Sequence, residues 1–387
     1  RCWRTLYGSC HFIDDNWQKQ RARVFECKAH SGTVTCLALC GDRMVSGSDD
    51  GSMASWELGE TGLYGSPYRQ GRSAKERERD SSYMSAHLLP PPSLPLAQLV
   101  EQEPSWWGGG AWRMRRSGGA GAELGTGSTS RQQGCSKLRT FHGHGGPVWC
   151  LDYDPVSEQL VSGSYDRTLK VWDTCSGSCV HTLRGHTGWV SSLMLLKGQD
   201  KAVSSSWDCT VRMWSLEDGE LLHTLSSGPG NALYCVGASA DGRTVGAGCR
   251  QAQVQRWDTE TGIPREPLLG HSKEVHCLQL CDRVVLSGSG DASVKVWEAS
   301  SGKCVTTIRD HTATVMTLQF DNDFRLVTGS YDKTVKVWDM RNTQAALTTI
   351  AAHQAAVFCI KFDDYRLVTG GADHSLKVFD FASQPFV

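Results

Sequence analysis

The fold is decided by one stretch, residues 160–173, which reads Leu-Val-Ser-Gly-Ser-Tyr-Asp-Arg-Thr-Leu-Lys-Val-Trp-Asp. Apolar side chains alternate with small or polar ones on both sides of the central Tyr165-Asp166-Arg167 segment. Alternation with a period of two is typical of strands, and a short polar segment between two such runs predicts a tight turn. The stretch therefore predicts two antiparallel strands, and a Gly143-His144 pair precedes them.

Similar sequences recur along the chain. The aromatic residue that ends each copy is found at Trp56, Trp172, Trp214, Trp257, Trp297, Trp338 and Phe379, with a spacing of 40 to 43 residues from the second copy onward. This period, with Gly-His and Trp-Asp anchors, resembles the WD-repeat family, in which each repeat supplies four strands of a propeller blade. The resemblance and the seven copies predict an all-β, seven-bladed WD-repeat β-propeller.

One long segment interrupts the array. Roughly 75 residues more than one period separate the first two tryptophans, and the surplus predicts a propeller over 23–60 and 135–381 with a disordered insertion at 61–134 in the first blade. Within the insertion, Pro90 to Pro95 are compatible with a polyproline ligand, and Arg113, Arg115 and Arg116 with a basic contact. The alternative is an inert loop. Residues 382–387 form a C-terminal tail.

Composition excludes several classes of function. The 387 residues include 40 basic and 41 acidic side chains, a balance that does not favour nucleic-acid or membrane binding. The 16 cysteines include five at one equivalent position of successive repeats (Cys36, Cys150, Cys235, Cys277 and Cys359), where we expect them to be buried and unpaired. The sequence lacks a C-x2-C zinc motif, so neither metal nor cofactor is expected. Free thiols predict a cytoplasmic or nuclear protein.

Serine, histidine and aspartate recur together in most repeats, beginning with Ser162, His144 and Asp166. The same residue types form hydrolase triads, but six copies in one chain are not expected of an enzyme, so no catalytic residue is predicted. The WD-repeat resemblance implies a structural hydrogen-bond network instead, formed by His144, Ser162, Asp166, Trp172, His186, Asp208, Trp214, His271, Asp291, Trp297, His311, Asp332, Trp338, His353 and Asp373. The fourth repeat lacks most of it, and we expect neighbouring blades to support that blade.

Recognition is then expected from the loops. The resemblance implies that the residue before the turn aspartate and the residue after the first valine of the inner strand face the top of the propeller. At or beside these positions lie Trp149, Tyr165, Trp189, Trp207, Tyr234, His276, Met316, Tyr331 and Phe358. This set is mostly aromatic and holds no lysine or arginine, which favours a protein substrate over a phosphate ligand.

The N-terminal segment points to one group of proteins within the WD-repeat family. Trp3, Tyr7 and Asn16-Trp17 precede a strand-like stretch at Arg23 to Lys28, and this order resembles the linker between F-box and propeller in F-box/WD-repeat proteins. The resemblance implies that 1–22 are such a linker and that the strand closes the last blade beside Leu376 to Phe381. It also implies the substrate-recognition subunit of an SCF-type (cullin–RING) ubiquitin ligase, which binds its adaptor and cullin through an F-box outside this chain. The alternative is a non-ligase scaffold for a signalling or RNP complex.

Overall fold

The computed structural model describes residues 16, 17, 19, 22–59, 135–321 and 324–381. They form 28 strands in seven antiparallel sheets of four strands each, which confirms the predicted all-β propeller. The inner strands of successive sheets contact one another in chain order, and the last inner strand contacts the first, so the seven blades form a closed ring. No helix in the described ranges is long and apolar enough to cross a membrane.

Each blade takes its strands in chain order from the inside outward, apart from the last. Blade 1 consists of β2 (Val34–Cys40), β3 (Arg43–Ser48), β4 (Met53–Leu58) and β5 (Cys135–Phe141), and blade 2 of β6 (Val148–Asp154), β7 (Gln159–Ser164), β8 (Thr168–Asp173) and β9 (Cys179–Arg184). Blade 3 consists of β10 (Val190–Leu196), β11 (Lys201–Ser206), β12 (Thr210–Ser215) and β13 (Leu221–Ser226). Blade 4 consists of β14 (Leu233–Ala238), β15 (Thr244–Cys249), β16 (Gln253–Asp258) and β17 (Pro264–Leu269). Blades 5 and 6 consist of β18 (Val275–Leu280), β19 (Val284–Ser289), β20 (Ser293–Glu298) and β21 (Cys304–Arg309); and β22 (Val315–Phe320), β23 (Arg325–Ser330), β24 (Val335–Asp339) and β25 (Thr348–Ile350).

The last blade joins the two ends of the chain. It contains β26 (Val357–Phe362), β27 (Arg366–Gly371) and β28 (Ser375–Asp380), and its outer strand is β1 (Arg23–Lys28). The β1–β28 register runs from Arg23 opposite Asp380 to Lys28 opposite Ser375. The predicted closure is therefore present, and it satisfies the edge of β28 that would otherwise be open to pairing with another chain.

The five equivalent cysteines are buried free thiols, as predicted. A glycine of the neighbouring strand faces each of them: a Cβ on Gly47 would lie 2.6 Å from the sulfur of Cys36, and one on Gly163 would lie 2.6 Å from that of Cys150. Glycine is thus required because the cysteine side chain fills the space that a Cβ would occupy. Burial raises the pKa of Cys36 to about 12, so this thiol stays protonated and unreactive.

One cysteine pair contradicts the expectation of free thiols. Cys27 on β1 and Cys135 on β5 form a disulfide between the outer strands of blades 7 and 1. Cys27 lies in an apolar cluster with Leu58 and Leu376, and Cys135 packs against the same cluster. The sequence argument considered only the equivalent inner-strand positions, whereas this pair depends on two outer strands that are separated by 108 residues along the chain.

The N-terminal segment contacts the propeller where it is described. Asn16 and Trp17 are buried; the amide of Asn16 donates to the carbonyl of Phe381 at 2.8 Å, and the indole of Trp17 stacks on the Phe381 ring at 4.0 Å. The guanidinium of Arg325 lies 4.8 Å from the Trp17 ring. Asn16 and Trp17 are therefore packed against the last blade of the propeller.

Other predictions fall outside the described residues. These are most of the linker at 1–22, the disorder and binding motifs of 61–134, and the tail at 382–387. The position of the insertion is confirmed, because it joins β4 to β5 within blade 1. Gly59, the last described residue before the insertion, is bonded to blade 7: the buried Arg366 donates to its carbonyl at 3.2 Å. Arg366 also pairs with Asp42 at 2.9 Å.

Reduction of the disulfide is expected to lower the melting temperature, because a disulfide typically contributes about 2–4 kcal/mol to stability. Thermal unfolding with and without a phosphine reductant measures this for the wild type and for the double variant Cys27→Ser/Cys135→Ser. The double variant should melt like the reduced wild type in both conditions. Cys175→Ser, which removes an exposed free thiol, is the control and should leave the response to reductant unchanged. Equal melting of oxidised and reduced wild type would contradict the prediction.

Candidate functional site

A histidine connects two loops at the same end of each typical blade. In blade 2 the His144 imidazole is 2.8 Å from Asp166 Oδ2 through Nδ1 and 2.8 Å from Ser162 Oγ through Nε2. The indole of Trp172 donates to the same serine at 2.8 Å, and the backbone N–H of Gly145 donates to Asp166 at 2.9 Å. The loop before β6 and the turn between β7 and β8 are therefore fixed to each other.

The same arrangement occurs in blades 3, 5 and 6. The histidine-to-aspartate distances are 2.8, 2.9 and 2.7 Å for His186–Asp208, His271–Asp291 and His311–Asp332, and the indoles of Trp214, Trp297 and Trp338 donate to Ser204, Ser287 and Thr328. Blade 7 keeps the His353–Asp373 contact at 2.9 Å, with Phe379 in place of the tryptophan. Blade 1 differs, since His30 contacts Ser52 at 2.9 Å and lies 3.7 Å from Asp50.

The electrostatics of these groups suits a structural role. Burial opposes ionisation of Asp166, but hydrogen bonds from His144 and Thr168 outweigh it and hold the pKa of the carboxyl well below its usual range. Burial lowers the pKa of His186, although the Asp208 carboxylate partly offsets this effect. The histidines thus form bridges between two fixed partners, and their geometry repeats from blade to blade in the way that a structural network does.

Blade 4 uses other groups. Its two loops are joined by Asn231, which is buried, accepts from the backbone N–H of Gln251 at 3.2 Å and donates to the Ser227 carbonyl at 3.4 Å. At the lower end of the blade, Arg256 donates to the carbonyl of Ala299 in blade 5 at 2.7 Å. The expected support from a neighbouring blade is therefore present, together with a local substitute for the histidine.

Backbone hydrogen bonds fix the rim beside this network. The N–H of Tyr165 donates to the Pro147 carbonyl at 3.0 Å, and the N–H of Trp207 donates to the Trp189 carbonyl at 3.0 Å. Because each donor directly precedes the turn aspartate or its equivalent, the network holds the rim side chains in place without using them. They remain available for recognition.

Eight of the nine predicted rim side chains form one continuous series of ring contacts, here called the aromatic arc. The successive centroid distances are 5.5 Å for Tyr331–Phe358, 5.9 Å for Phe358–Trp149, 5.1 Å for Trp149–Tyr165, 4.2 Å for Tyr165–Trp189, 4.7 Å for Trp189–Trp207, 5.6 Å for Trp207–Tyr234 and 5.0 Å for Tyr234–His276. Met316, the ninth, is half-buried at the equivalent position of β22. The sequence thus predicted residues that the structure brings together.

The arc is partly open to solvent. Trp189, Trp207 and Tyr331 are 38%, 40% and 46% exposed, which is high for such large apolar groups, and the other rings are half-buried. Connected aromatic surface of this kind is typical of an interaction site rather than of scattered surface residues.

Two charged residues at the rim were missed. Arg250 is the blade 4 equivalent of Trp207, since it lies seven residues before Trp257 and its N–H donates to the Ala232 carbonyl at 2.9 Å. Blade 4 has no turn aspartate, so counting from that residue failed, whereas counting back from the tryptophan would have found it. Glu274 is the second: its carboxylate is 3.4 Å from the His276 ring, which lowers the pKa of the glutamate.

Comparison with known proteins identifies the repeats. The family described as "WD domain, G-beta repeat" matches residues 21–57, 135–173, 177–215, 263–298, 302–339 and 344–380, more than half of the chain. This chain belongs to the WD-repeat family. It is a WD-repeat propeller, a fold that serves as a scaffold for protein interactions. The narrower F-box/WD-repeat assignment stays a prediction.

Individual relatives are similar over short stretches. The WD-repeat chain is 46% identical to eukaryotic translation initiation factor 3 subunit I of Pyricularia oryzae over 46 residues, 12% of this chain and 14% of that protein. It is 52% identical to the E3 ubiquitin-protein ligase TRAF7 of Homo sapiens over 50 residues, 13% and 8% of the two chains. It is 26% identical to nuclear distribution protein nudF of Aspergillus niger over 178 residues, which are 45% of this chain and 31% of that protein. These matches span less than a third of each relative.

Asp166→Ala should destabilise the propeller by about 1–3 kcal/mol, because it leaves His144, Gly145 and Thr168 without their shared acceptor. The matched control is Gln251→Ala at the equivalent position of blade 4, where the backbone of Gln251 makes the contact. Melting temperatures of the two variants and the wild type measure the difference. Similar losses for both variants would argue against a special contribution of the aspartate.

Stability should fall on mild acidification. Burial lowers the pKa of His186, His311 and His353 below 6.5, so between their folded pKa values and 6.5 the unfolded chain binds more protons than the folded one. Stability is then present above about pH 6.5 and is lost as the pH falls below it. Melting curves from pH 7.5 to 5 at constant ionic strength measure the slope, and His223→Gln, at an exposed histidine, should leave it unchanged. A flat or rising melting temperature on acidification would contradict this account.

Proposed function

We propose that this chain is the substrate-recognition part of an SCF-type (cullin–RING) ubiquitin ligase and that it binds a protein substrate on the aromatic arc. The arc carries the proposal: eight ring side chains from six blades lie in contact on one face, and three of them are well exposed. Tryptophan and tyrosine are enriched at the energetic centres of protein interfaces. The propeller performs no chemistry in this proposal; it raises the concentration of substrate near a ubiquitin-charged enzyme.

The N-terminal contacts support a rigid attachment to an upstream domain. Phe358, a member of the arc, lies near the start of β26, whereas the indole of Trp17 donates to the carbonyl of Asp364 just beyond the end of that strand. An upstream F-box would thus be joined to blade 7 at the end opposite to the arc, and the arc would stay open. The local similarity to TRAF7, which is named as an E3 ubiquitin-protein ligase, is compatible with this role.

The alternative is a non-ligase scaffold in a signalling or RNP complex. The similarities to a translation initiation factor subunit and to a nuclear distribution protein favour it, and the arc would serve such a complex equally well. Both proposals include a protein partner on the arc and a site of action in the cytosol or nucleus. They differ in whether the ligase adaptor and cullin are also bound, which only the ligase proposal requires.

Affinity purification separates the two. The protein with its natural N-terminal extension should recover the ligase adaptor and cullin by mass spectrometry, and this chain alone should not, since its F-box is expected upstream. Recovery of a defined set of partners without adaptor or cullin would favour the scaffold.

The arc is tested in the same experiment. The variant Trp189→Ala/Trp207→Ala should lose the partner proteins but keep the adaptor, because it removes exposed rings without touching the histidine network. The control, Leu269→Ala/Val305→Ala, removes two apolar side chains that are even more exposed, at 66% and 65%, from outer strands, and it should retain every partner. Equal melting temperatures of the variants would show that folding is intact. Unchanged partner recovery by the tryptophan variant would exclude the arc as the binding site.

A further inference from the structure

The aromatic arc carries hydrogen-bond donors that the protein itself does not use. Among the residues that the structure describes, the hydroxyls of Tyr165, Tyr234 and Tyr331 make no hydrogen bond, and neither do the indole N–H groups of Trp149, Trp189 and Trp207. The blade tryptophans behave differently: the indole of Trp172, for example, is buried and bonded to Ser162. Six donors on one face are therefore available to a ligand.

These groups remain donors over the whole physiological pH range. Burial, with contributions from the nearby hydroxyls of Tyr331 and Tyr234, raises the pKa of Tyr165 to about 12. An indole N–H donates and has no lone pair to accept with.

The charges beside the arc do not favour an ionic ligand. Burial raises the pKa of Tyr234; the carboxylate of Glu274 adds to this effect and the guanidinium of Arg250 opposes it, so this part of the arc has charges of opposite sign nearby. Glu274 is in addition engaged by His276. A phosphorylated ligand would find a single arginine with a repelling carboxylate nearby. A cationic ligand would find a single carboxylate with a repelling arginine nearby.

We propose, resting on the proposed function, that the arc binds an extended proline-rich segment of its partner protein. Proline has a carbonyl acceptor but no N–H donor, and a polyproline II segment forms no internal hydrogen bonds, so its carbonyls point outward and need donors. The unpaired hydroxyls and indoles of the arc supply those donors, and the rings supply surface on which pyrrolidine groups pack.

The rings offer this ligand a continuous surface. From Trp149 to Trp207 the ring centroids follow one another at 5.1, 4.2 and 4.7 Å, so the rings are in contact and form one row of apolar surface. Two residues of a polyproline II helix rise about 6 Å, so they extend beyond one step of this row and contact more than one ring. At the end of the row, Trp207 and Tyr234 meet at 74° and form a corner that can receive one apolar side chain.

The test is fluorescence polarisation with the complete chain and a labelled ten-residue proline-rich peptide. The matched peptide has every proline replaced by alanine. The proline peptide is expected to bind at least ten times more tightly. Trp189→Ala should weaken its binding at least tenfold, and Tyr165→Phe, which keeps the ring and removes only the hydroxyl, by a smaller factor of about three to ten, as expected for one hydrogen bond. Melting temperatures exclude misfolded variants.

Two charge variants test the competing chemistries. Arg250→Ala and Glu274→Gln should each change the affinity for the proline peptide less than twofold. Tighter binding of a phosphoserine peptide that is lost in Arg250→Ala would overturn the inference, and so would tighter binding of an arginine-rich peptide that is lost in Glu274→Gln. Equal binding of the proline and alanine peptides would overturn it as well.

The outcome is separable from that of the proposed function. If Trp189→Ala/Trp207→Ala loses its cellular partners while the proline peptide shows no preference, the arc is a partner site and the inferred ligand chemistry is wrong. If the proline peptide binds as expected while the extended protein recovers neither adaptor nor cullin, the ligand chemistry stands and the ligase proposal fails.

Discussion

The structure depends on a histidine whose two ring nitrogens each make a hydrogen bond. In blade 2 one nitrogen of His144 meets the turn aspartate Asp166 and the other meets Ser162, each at 2.8 Å. This bridge ties the loop that enters a blade to the turn between its middle strands. Because Tyr165 directly precedes Asp166, the same bond that stabilises the blade also positions a ring of the aromatic arc. Stability and recognition are thus supplied by neighbouring residues with separate tasks.

Blade 4 shows what happens where this bridge is absent. Asn231 replaces the histidine as the buried connection between the loops, and the turn carries Gln251 instead of an aspartate. The rim of this blade is also the one that presents an arginine, Arg250, next to the aromatic series. The N–H of Arg250 still donates to the Ala232 carbonyl at 2.9 Å, so the rim backbone of blade 4 keeps the usual arrangement and the difference lies in the side chain. Arg250 and the carboxylate of Glu274 in blade 5 bring charges of opposite sign to this part of the arc.

The repeat pattern predicted the number of blades and the position of the insertion, because a fixed period and alternating apolar residues determine strands and their order. The resemblance to WD-repeat proteins implied the strand that closes the ring. It also located eight rings that contact one another, since equivalent positions in a propeller face the same side. It failed where a feature depends on a departure from the repeat. Arg250 was missed because its blade has no turn aspartate from which the rim position could be counted. The Cys27–Cys135 disulfide joins outer strands whose approach depends on how neighbouring blades pack, and no periodicity encodes that contact.

The seam between blades 7 and 1 is where the ring joins its two ends, and the structure concentrates its strongest links there. The β1–β28 pairing, the disulfide from β1 to β5 and the pair of Arg366 with Asp42 all cross or border this seam. The aromatic arc also spans blade 1, since Phe358 of blade 7 contacts Trp149 of blade 2 at 5.9 Å. A ring opened at the seam would separate these two rings and divide the arc. Closure of the propeller is therefore a condition for a continuous aromatic arc as well as for stability.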